Sequence, residues 1–349
     1  MRMDLSEVRR DSRLGRRGLA LAGAAAAVVL VVAAMPQLLG PEVRNAFDGL
    51  ERAEPAWLWL AGVAFVGALL CNAWAWRSTI RLCGGRIGWL NSVACYGVGS
   101  LANSATPARV GDAVRIGLFS RAFDAEERSA RLWTTGGVFS AIGAARALYL
   151  GSLVVVGAAA GALPIWPVVA LGGLVAAALV AAFFARRRSA RRAVAHLLDA
   201  YRALGRSPAR GARTLAWVAL ATAARVVGVA AIASALGVGS PLMAAVIIVP
   251  ALDVAAIVPL TPGNLGISSG TMAVALQARG VGMTEALTAG IALHALETSA
   301  SIVIGGAGAL WLARFRSPAM RRRVVTLAGA TASIVLAYAF TATVLVQLV

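Results

Sequence analysis

The sequence predicts an all-α polytopic membrane protein, with about seven transmembrane helices and two re-entrant broken-helix hairpins in an inverted repeat. Three observations carry this prediction. First, of 349 residues, 59% are hydrophobic and 14% charged, and the mean hydropathy is +0.78. Several apolar runs exceed about eighteen residues, the length at which a helix spans a bilayer. Second, the basic residues gather between those runs. Third, two stretches of similar character break the pattern, 101–115 (LANSATPARVGDAVR) and 260–270 (LTPGNLGISSG). Each has a Thr-Pro with a Gly four residues after the Pro: Thr106, Pro107, Gly111, and Thr261, Pro262, Gly266.

The net charge of +18 comes entirely from arginine, because no lysine occurs. Arginines placed between apolar runs follow the positive-inside rule and face anionic headgroups, so the expected partners are membrane lipids, anionic or phosphate-bearing. Nucleic acid is excluded as a partner, since no soluble domain presents the charge. Cys71, Cys83 and Cys95 are scattered and odd in number, which gives no disulfide framework. With only His196 and His294 besides, no metal site or cofactor is expected.

Taken in order, residues 1–17 form a basic cytoplasmic N-terminus, and 18–40 a leader transmembrane helix too long for a signal-peptide core. The loop Gly40–Pro55 has no basic excess and is expected outside. The first membrane repeat, 56–185, begins with a helix from Ala56 to Trp76, whose Trp57, Trp59, Trp74 and Trp76 read as an aromatic belt. The apolar run 89–99 is too short and Gly-rich for an ordinary crossing. Were it a full crossing, every later loop would invert, and the most basic loop, 186–213, would lie outside against the charge rule. A re-entrant hairpin over 89–115 removes that conflict. Residues 120–131 then read as a short amphipathic cytoplasmic helix, followed by helices over 138–160 and up to Phe184.

Residues 186–213 are an Arg-rich cytoplasmic connector and a surface for a protein partner. The second repeat, 214–349, holds a helix over 214–236, a hairpin over 242–278, a helix over 284–312, and a last helix over 324–348 that places the C-terminus outside. The two repeats start on opposite sides, which is the inverted-repeat pattern of secondary transporters. The expected location is the plasma membrane.

Ionisable groups at membrane depth cost about 2.5–3.5 kcal/mol or more each and therefore pair or line a cavity. Arg146, Arg225, Asp253 and Glu297 lie in the apolar helices, and their charges sum to zero. Taken singly, each reads equally well as a helix-pairing group. Taken together with two helix breaks, they point to a cavity. In the first hairpin, Asp112 is spaced to hold Arg109 and Arg115 toward a shared point, although these arginines, and Arg115 taken alone above all, also read as a positive-inside flank at the cytoplasmic lip. Guanidinium forks suit phosphate. In the second, Gly263 and Asn264 offer free backbone amides, and Ser268, Ser269 and Thr271 hydroxyls at a helix start. His294 lies three residues before Glu297, a spacing that permits a proton relay, although a membrane histidine also serves simple packing. Gly305, Gly306 and Gly308 read as close helix packing. No nucleophile elbow, phosphate-binding loop or HExxH is present, so no catalytic residues are assigned and enzymatic activity is not expected.

Asn103, Pro107, Gly111, Asp112 and Arg115 resemble the first signature of the lysylphosphatidylglycerol synthase transmembrane (flippase-like) family, and Pro262, Gly263, Leu265 and Gly266 resemble its second. The resemblance covers most of the chain after the first helix. It implies the lipid-translocating membrane part, without the soluble aminoacyl transferase domain of the family's larger members. Two positions depart from the pattern. Ser268-Ser269 stands where the family usually has Glu, and His294 to Glu297 where an Arg is expected. These departures point to a different lipid.

The residues and the resemblance together imply a transporter that moves a phosphate-bearing lipid, either a phospholipid or a polyprenyl-phosphate carrier, between leaflets. Arg109 and Arg115 would receive the phosphate, and Arg146 and Arg225 would pass it across the midplane. Asp253 and Glu297 would serve as counter-ions or proton acceptors. The alternative is a non-transporting accessory subunit for a lipid- or glycan-modifying enzyme, docked through 186–213.

Overall fold

The computed structural model describes residues 49–50, 52–106, 109–124, 127–161, 200–256 and 267–314. Within them all regular structure is helical. The elements are α1 (Pro55–Leu82), α2 (Trp89–Ala105), α3 (Val110–Phe119), α4 (Arg128–Ala159), α5 (Pro208–Ala235), α6 (Pro241–Ala255), α7 (Ile267–Gln277) and α8 (Met283–Ala313). Proline opens α1, α5 and α6, where its fixed φ suits the first turn and its missing N–H costs nothing.

Helices α1, α4, α5 and α8 are long and apolar enough to cross a membrane. At 28 to 32 residues they run about 42–48 Å, beyond the roughly 30 Å hydrocarbon core. The chain is a multi-pass α-helical membrane protein. Helices α2, α3, α6 and α7 have 17, 10, 15 and 11 residues, so each runs only about 15–26 Å. The expected leader helix 18–40, the helix ending at Phe184, the last helix 324–348, residues 186–199 of the connector, and Pro107 and Pro262 all lie outside the described residues.

Helices α1 and α5 run antiparallel at the centre. The Glu54 amide donates to the Ala235 carbonyl at one end. Phe65 fills the groove at Gly228 in the middle. Trp74 meets Trp217 at 4.8 Å between ring centroids near the other end. Each short-helix pair is a hairpin that returns to the end where it began. For α2–α3, the Arg86 amide donates to the Ala122 carbonyl (2.8 Å), joining the segments before α2 and after α3. For α6–α7, residues 237–239 before the hairpin and 279–281 after it line one pocket. The first base sits by the C-terminus of α1 and the second by the C-terminus of α5. Because α1 and α5 are antiparallel, the two hairpins point into the bundle from opposite ends.

The hairpins then cross over between halves. α2 packs antiparallel on α8, and α6 packs on α4. The α2–α8 seam is built from small residues. A Cβ at Gly97 would stand 2.8 Å from the Ile304 carbonyl oxygen, and one at Gly308 2.8 Å from the Ala94 backbone. Ser100 and Ser301 share a hydrogen bond at 2.9 Å, and the Trp311 indole N–H donates to Asn91 Oδ1 at 2.9 Å. In lipid, where apolar side chains gain nothing from leaving their solvent, such backbone-close packing is the main cohesive term. Gly305 and Gly308 do pack as the sequence implied, whereas Gly306 has nothing within 4 Å.

Several boundaries differ from expectation. Among the described residues, 120–131 do not form one amphipathic helix. Ser120–Ala122 is a single 3-10 turn, Phe123 is extended, and Arg128 to Arg131 already belong to α4. The cause is apolar anchoring: Phe119, Ala122 and Phe123 are buried with Trp76 and Ile80, so the segment is pinned to the core. Trp76, expected in an aromatic belt, stacks on Phe119 at 4.6 Å and is 2% exposed. Trp57 and Trp59 are exposed, as a belt requires. α1 continues past Trp76 to Leu82, with Arg77 Nε donating to the Ile87 carbonyl. α5 begins at Pro208, which places Arg210 and Arg213 in its first two turns.

Glycine replacements test the seam. Gly308→Ala is expected to lower stability by about 1–3 kcal/mol through overpacking, and Gly306→Ala to leave it unchanged. Thermal unfolding of the purified variants in detergent measures both.

Candidate functional site

The four charges in the long and broken helices meet. Arg146 from α4 grips Asp253 from α6 side-on, Nε donating to Oδ2 and Nη2 to Oδ1, both at 2.7 Å. Arg225 from α5 donates Nη1 to Asp253 Oδ1 at 2.5 Å and Nη2 to Glu297 Oε1 of α8 at 3.1 Å. One carboxylate therefore serves two guanidinium groups, and one guanidinium spans two carboxylates. The chain alternates in sign and is neutral in sum. It links α4 of the first repeat to α5, α6 and α8 of the second.

Local sequence explains the placement. Pro250 interrupts α6 three residues before Asp253, removing one backbone hydrogen bond just where the helix nears its end at Ala255. Asp253 therefore lies close to the hairpin tip and reaches the middle of α4 and α5. Its side chain is 16% exposed and that of Arg225 15%, whereas Arg146 retains 34%. Arg146 and Arg225 both face a cleft between α1, α4, α5 and α6, also lined by Asn72, Leu150, Val218, Ala221, Thr222 and Val249. The cleft is small, with room for about one water, and sets Leu150, Val218, Ala221 and Val249 beside Asn72, Thr222 and the two guanidinium groups. That combination suits an anion attached to hydrocarbon.

Asn72 is a member of this cleft that sequence reasoning missed. Its Nδ2 donates to the Ala68 carbonyl at 2.9 Å. The available signal was a lone amide within the apolar run 56–76, a place where polar side chains bond or line cavities.

The first hairpin is built differently from expectation. Arg115 is 8% exposed. Its Nη1 donates to Asp112 Oδ1 at 2.8 Å, and its guanidinium lies 4.1 Å from the Tyr96 ring centroid. Asn103 Nδ2 donates to the same Asp112 oxygen at 3.1 Å. A Cβ at Gly99 would meet Arg115 Cβ and Nε, and one at Gly111 would collide with the Gly99 carbonyl oxygen and Asn103. Arg115 is thus clamped between α2 and α3. Arg109 is not brought to the same point. It is exposed, caps α3 with φ 53° and ψ 35°, and gives its backbone carbonyl to the Asp112 amide. The physical reason is that Gly99, having no side chain, leaves room for the Arg115 stem against α2, while Arg109 sits exposed in the left-handed turn that opens α3.

In the second hairpin, Gly263 and Asn264 lie outside the described residues. Ser268 is half-buried in the first turn of α7. Ser269 donates to the Gly290 carbonyl at 3.0 Å and Thr271 to Ile267 at 2.7 Å, so both hydroxyls serve helix packing. His294, one turn from Glu297, has Nε2 3.5 Å from the Thr298 hydroxyl.

Asp253→Ala is expected to cost about 3–5 kcal/mol of stability, because it strands two guanidinium groups. Arg146→Gln should cost less, since Arg225 still neutralises Asp253. Thermal midpoints of the two proteins give the comparison.

Residues 18–305 match the family model described as the lysylphosphatidylglycerol synthase TM region. No curated protein matches the chain.

Proposed function

Because the chain belongs to the lysylphosphatidylglycerol synthase TM-region family, we propose that it translocates a phosphate-bearing lipid between the leaflets of the plasma membrane, without altering it chemically. The observation that carries the reading is the pair of guanidinium groups, Arg146 and Arg225, on one cleft at mid-helix depth. In the resting arrangement Asp253 occupies the side face of Arg146 with both oxygens. A phosphate presents the same pair of oxygens and binds the same fork. The lipid phosphate takes the place of Asp253 on Arg146, while Asp253 keeps its bond to Arg225. The acyl chains stay in the bilayer beside the apolar wall.

The two hairpins are re-entrant in this reading, one from each face, with the N-terminus cytoplasmic. Their exchange between repeats, α2 on α8 and α6 on α4, couples the opening of one face to the closing of the other, as in alternating access between inverted repeats. Arg115 has a positioning role: it holds the first hairpin closed through Asp112 and Tyr96, and does not touch the lipid.

The test is leaflet exchange of labelled phospholipid, and separately of polyprenyl phosphate, by purified protein in liposomes. Arg146→Ala should slow exchange by about tenfold or more, the loss of one charge-assisted fork of roughly 1.5–3 kcal/mol. Exchange at the wild-type rate by a folded Arg146→Ala protein would remove the site from the mechanism.

A further inference from the structure

Helix α8 serves as a ruler for both hairpins. Along the α2 seam, Trp311 pairs with Asn91, Gly308 with Ala94, Gly305 with Gly97, and Ser301 with Ser100. Continuing that register brings the tip of the first hairpin, just past Ser104, to the level of Glu297 and Thr298. From the other side Ser269, in the first turn of α7, packs on Gly290 and marks the tip of the second hairpin. The two tips therefore bracket the α8 stretch 290–298, about 12 Å long. Within it lie His294 and Glu297.

Glu297 is held far more loosely than Asp253. Asp253 accepts three bonds over both oxygens. Glu297 accepts one, from Arg225 at 3.1 Å, on Oε1 alone, and its side chain is 31% exposed. Among the described residues the charged or titratable neighbours are few: the tip of the first hairpin carries Arg109, exposed, and Asp112, paired with Arg115. α5 supplies Arg225, beyond which lie Asp253 of α6 and Arg146 of α4. α8 itself supplies His294. α7 carries no titratable side chain, and those of α2 are Cys95, buried in the apolar cluster, and Tyr96, turned to Arg115. On α1, Arg77 and Arg81 sit in the last two turns at the far end and Cys71 is buried.

We propose that Glu297 is a proton-binding site that couples lipid movement to a proton gradient, with His294 as the group that passes the proton to it. A proton from water binds His294 and moves to the free carboxylate oxygen of Glu297. Glu297 becomes neutral and gives up its charge-assisted bond, which leaves Arg146, Arg225 and Asp253 with one net positive charge that the lipid phosphate on Arg146 balances. Release of the lipid returns Arg225 to Glu297, which loses the proton to the opposite side. One proton enters and one leaves per cycle, and no other bond changes. This inference rests on the transport reading and deepens it.

Two measurements on the full chain in lipid test it separately from transport itself. Infrared difference spectra across a pH titration should contain a protonated-carboxyl band in wild type that is lost in Glu297→Gln and returns in Glu297→Asp. In liposomes, an imposed gradient of one pH unit should bias the leaflet ratio of labelled lipid by up to about tenfold, for one proton per lipid. Glu297→Gln should lose the bias. Absence of the band, its survival in Glu297→Gln, or a wild-type lipid ratio indifferent to the gradient would overturn the coupling. A Glu297-dependent band without any lipid exchange by wild type would uphold the proton site and overturn the transport reading.

Discussion

A carboxylate shared by two arginines at membrane depth sets the terms for the rest of this bundle. Asp253 cannot be left alone in hydrocarbon, and neither can Arg146 or Arg225. Satisfying all three requires α4, α5 and α6 to converge at one level. It also requires α6 to carry Asp253 to that level, two residues before its end at Ala255. The early end of α6 at Ala255, two residues after Asp253, is what delivers a carboxylate to that level. Glu297 then completes the neutralisation from α8. Irregular backbone at such depth is tolerated where protein surrounds it, and the crossing of each hairpin onto the opposite half provides that surrounding.

The two hairpins solve the same problem with different chemistry. The first is sealed by glycine against glycine, with one arginine folded inward over a tyrosine. Its charges are spent on holding two short helices together. The second spends its charge outward, on partners in two other helices, α4 and α5. Both hairpins are thus pairs of short helices, the first with its ion pair inside itself and the second with its carboxylate on other helices.

Much of this plan was legible in the sequence because charge is expensive in lipid. Arg146, Arg225, Asp253 and Glu297 stood out as a neutral set in apolar helices, and the structure joins them. The breaks between the short helices α2 and α3, and between α6 and α7, were legible from the Pro and Gly residues in 101–115 and 260–270. What was not legible depended on tertiary contacts. Spacing alone made Arg109 and Arg115 look like a pair, but the room that Gly99 makes for the Arg115 stem leaves no periodic signal. Likewise Ser120–Arg131 has helical spacing of charge. Burial of Phe119 and Phe123 against Trp76 overrides it. Asn72 was visible as a polar residue in an apolar run, yet only packing against α5 reveals that it lines the cleft.

The bond between Arg146 and Asp253 joins residues 107 apart in the chain. During synthesis, α4 reaches the bilayer well before α6 is made, so Arg146 waits in the membrane without its counter-ion. A lone arginine at helix centre opposes insertion by about 2.5–3.5 kcal/mol. The apolar residues around it in α4 must carry that deficit until the second half arrives. Biogenesis of this protein is therefore ordered: the first half is inserted on hydrophobicity alone, and its burden is lifted only when the second half docks.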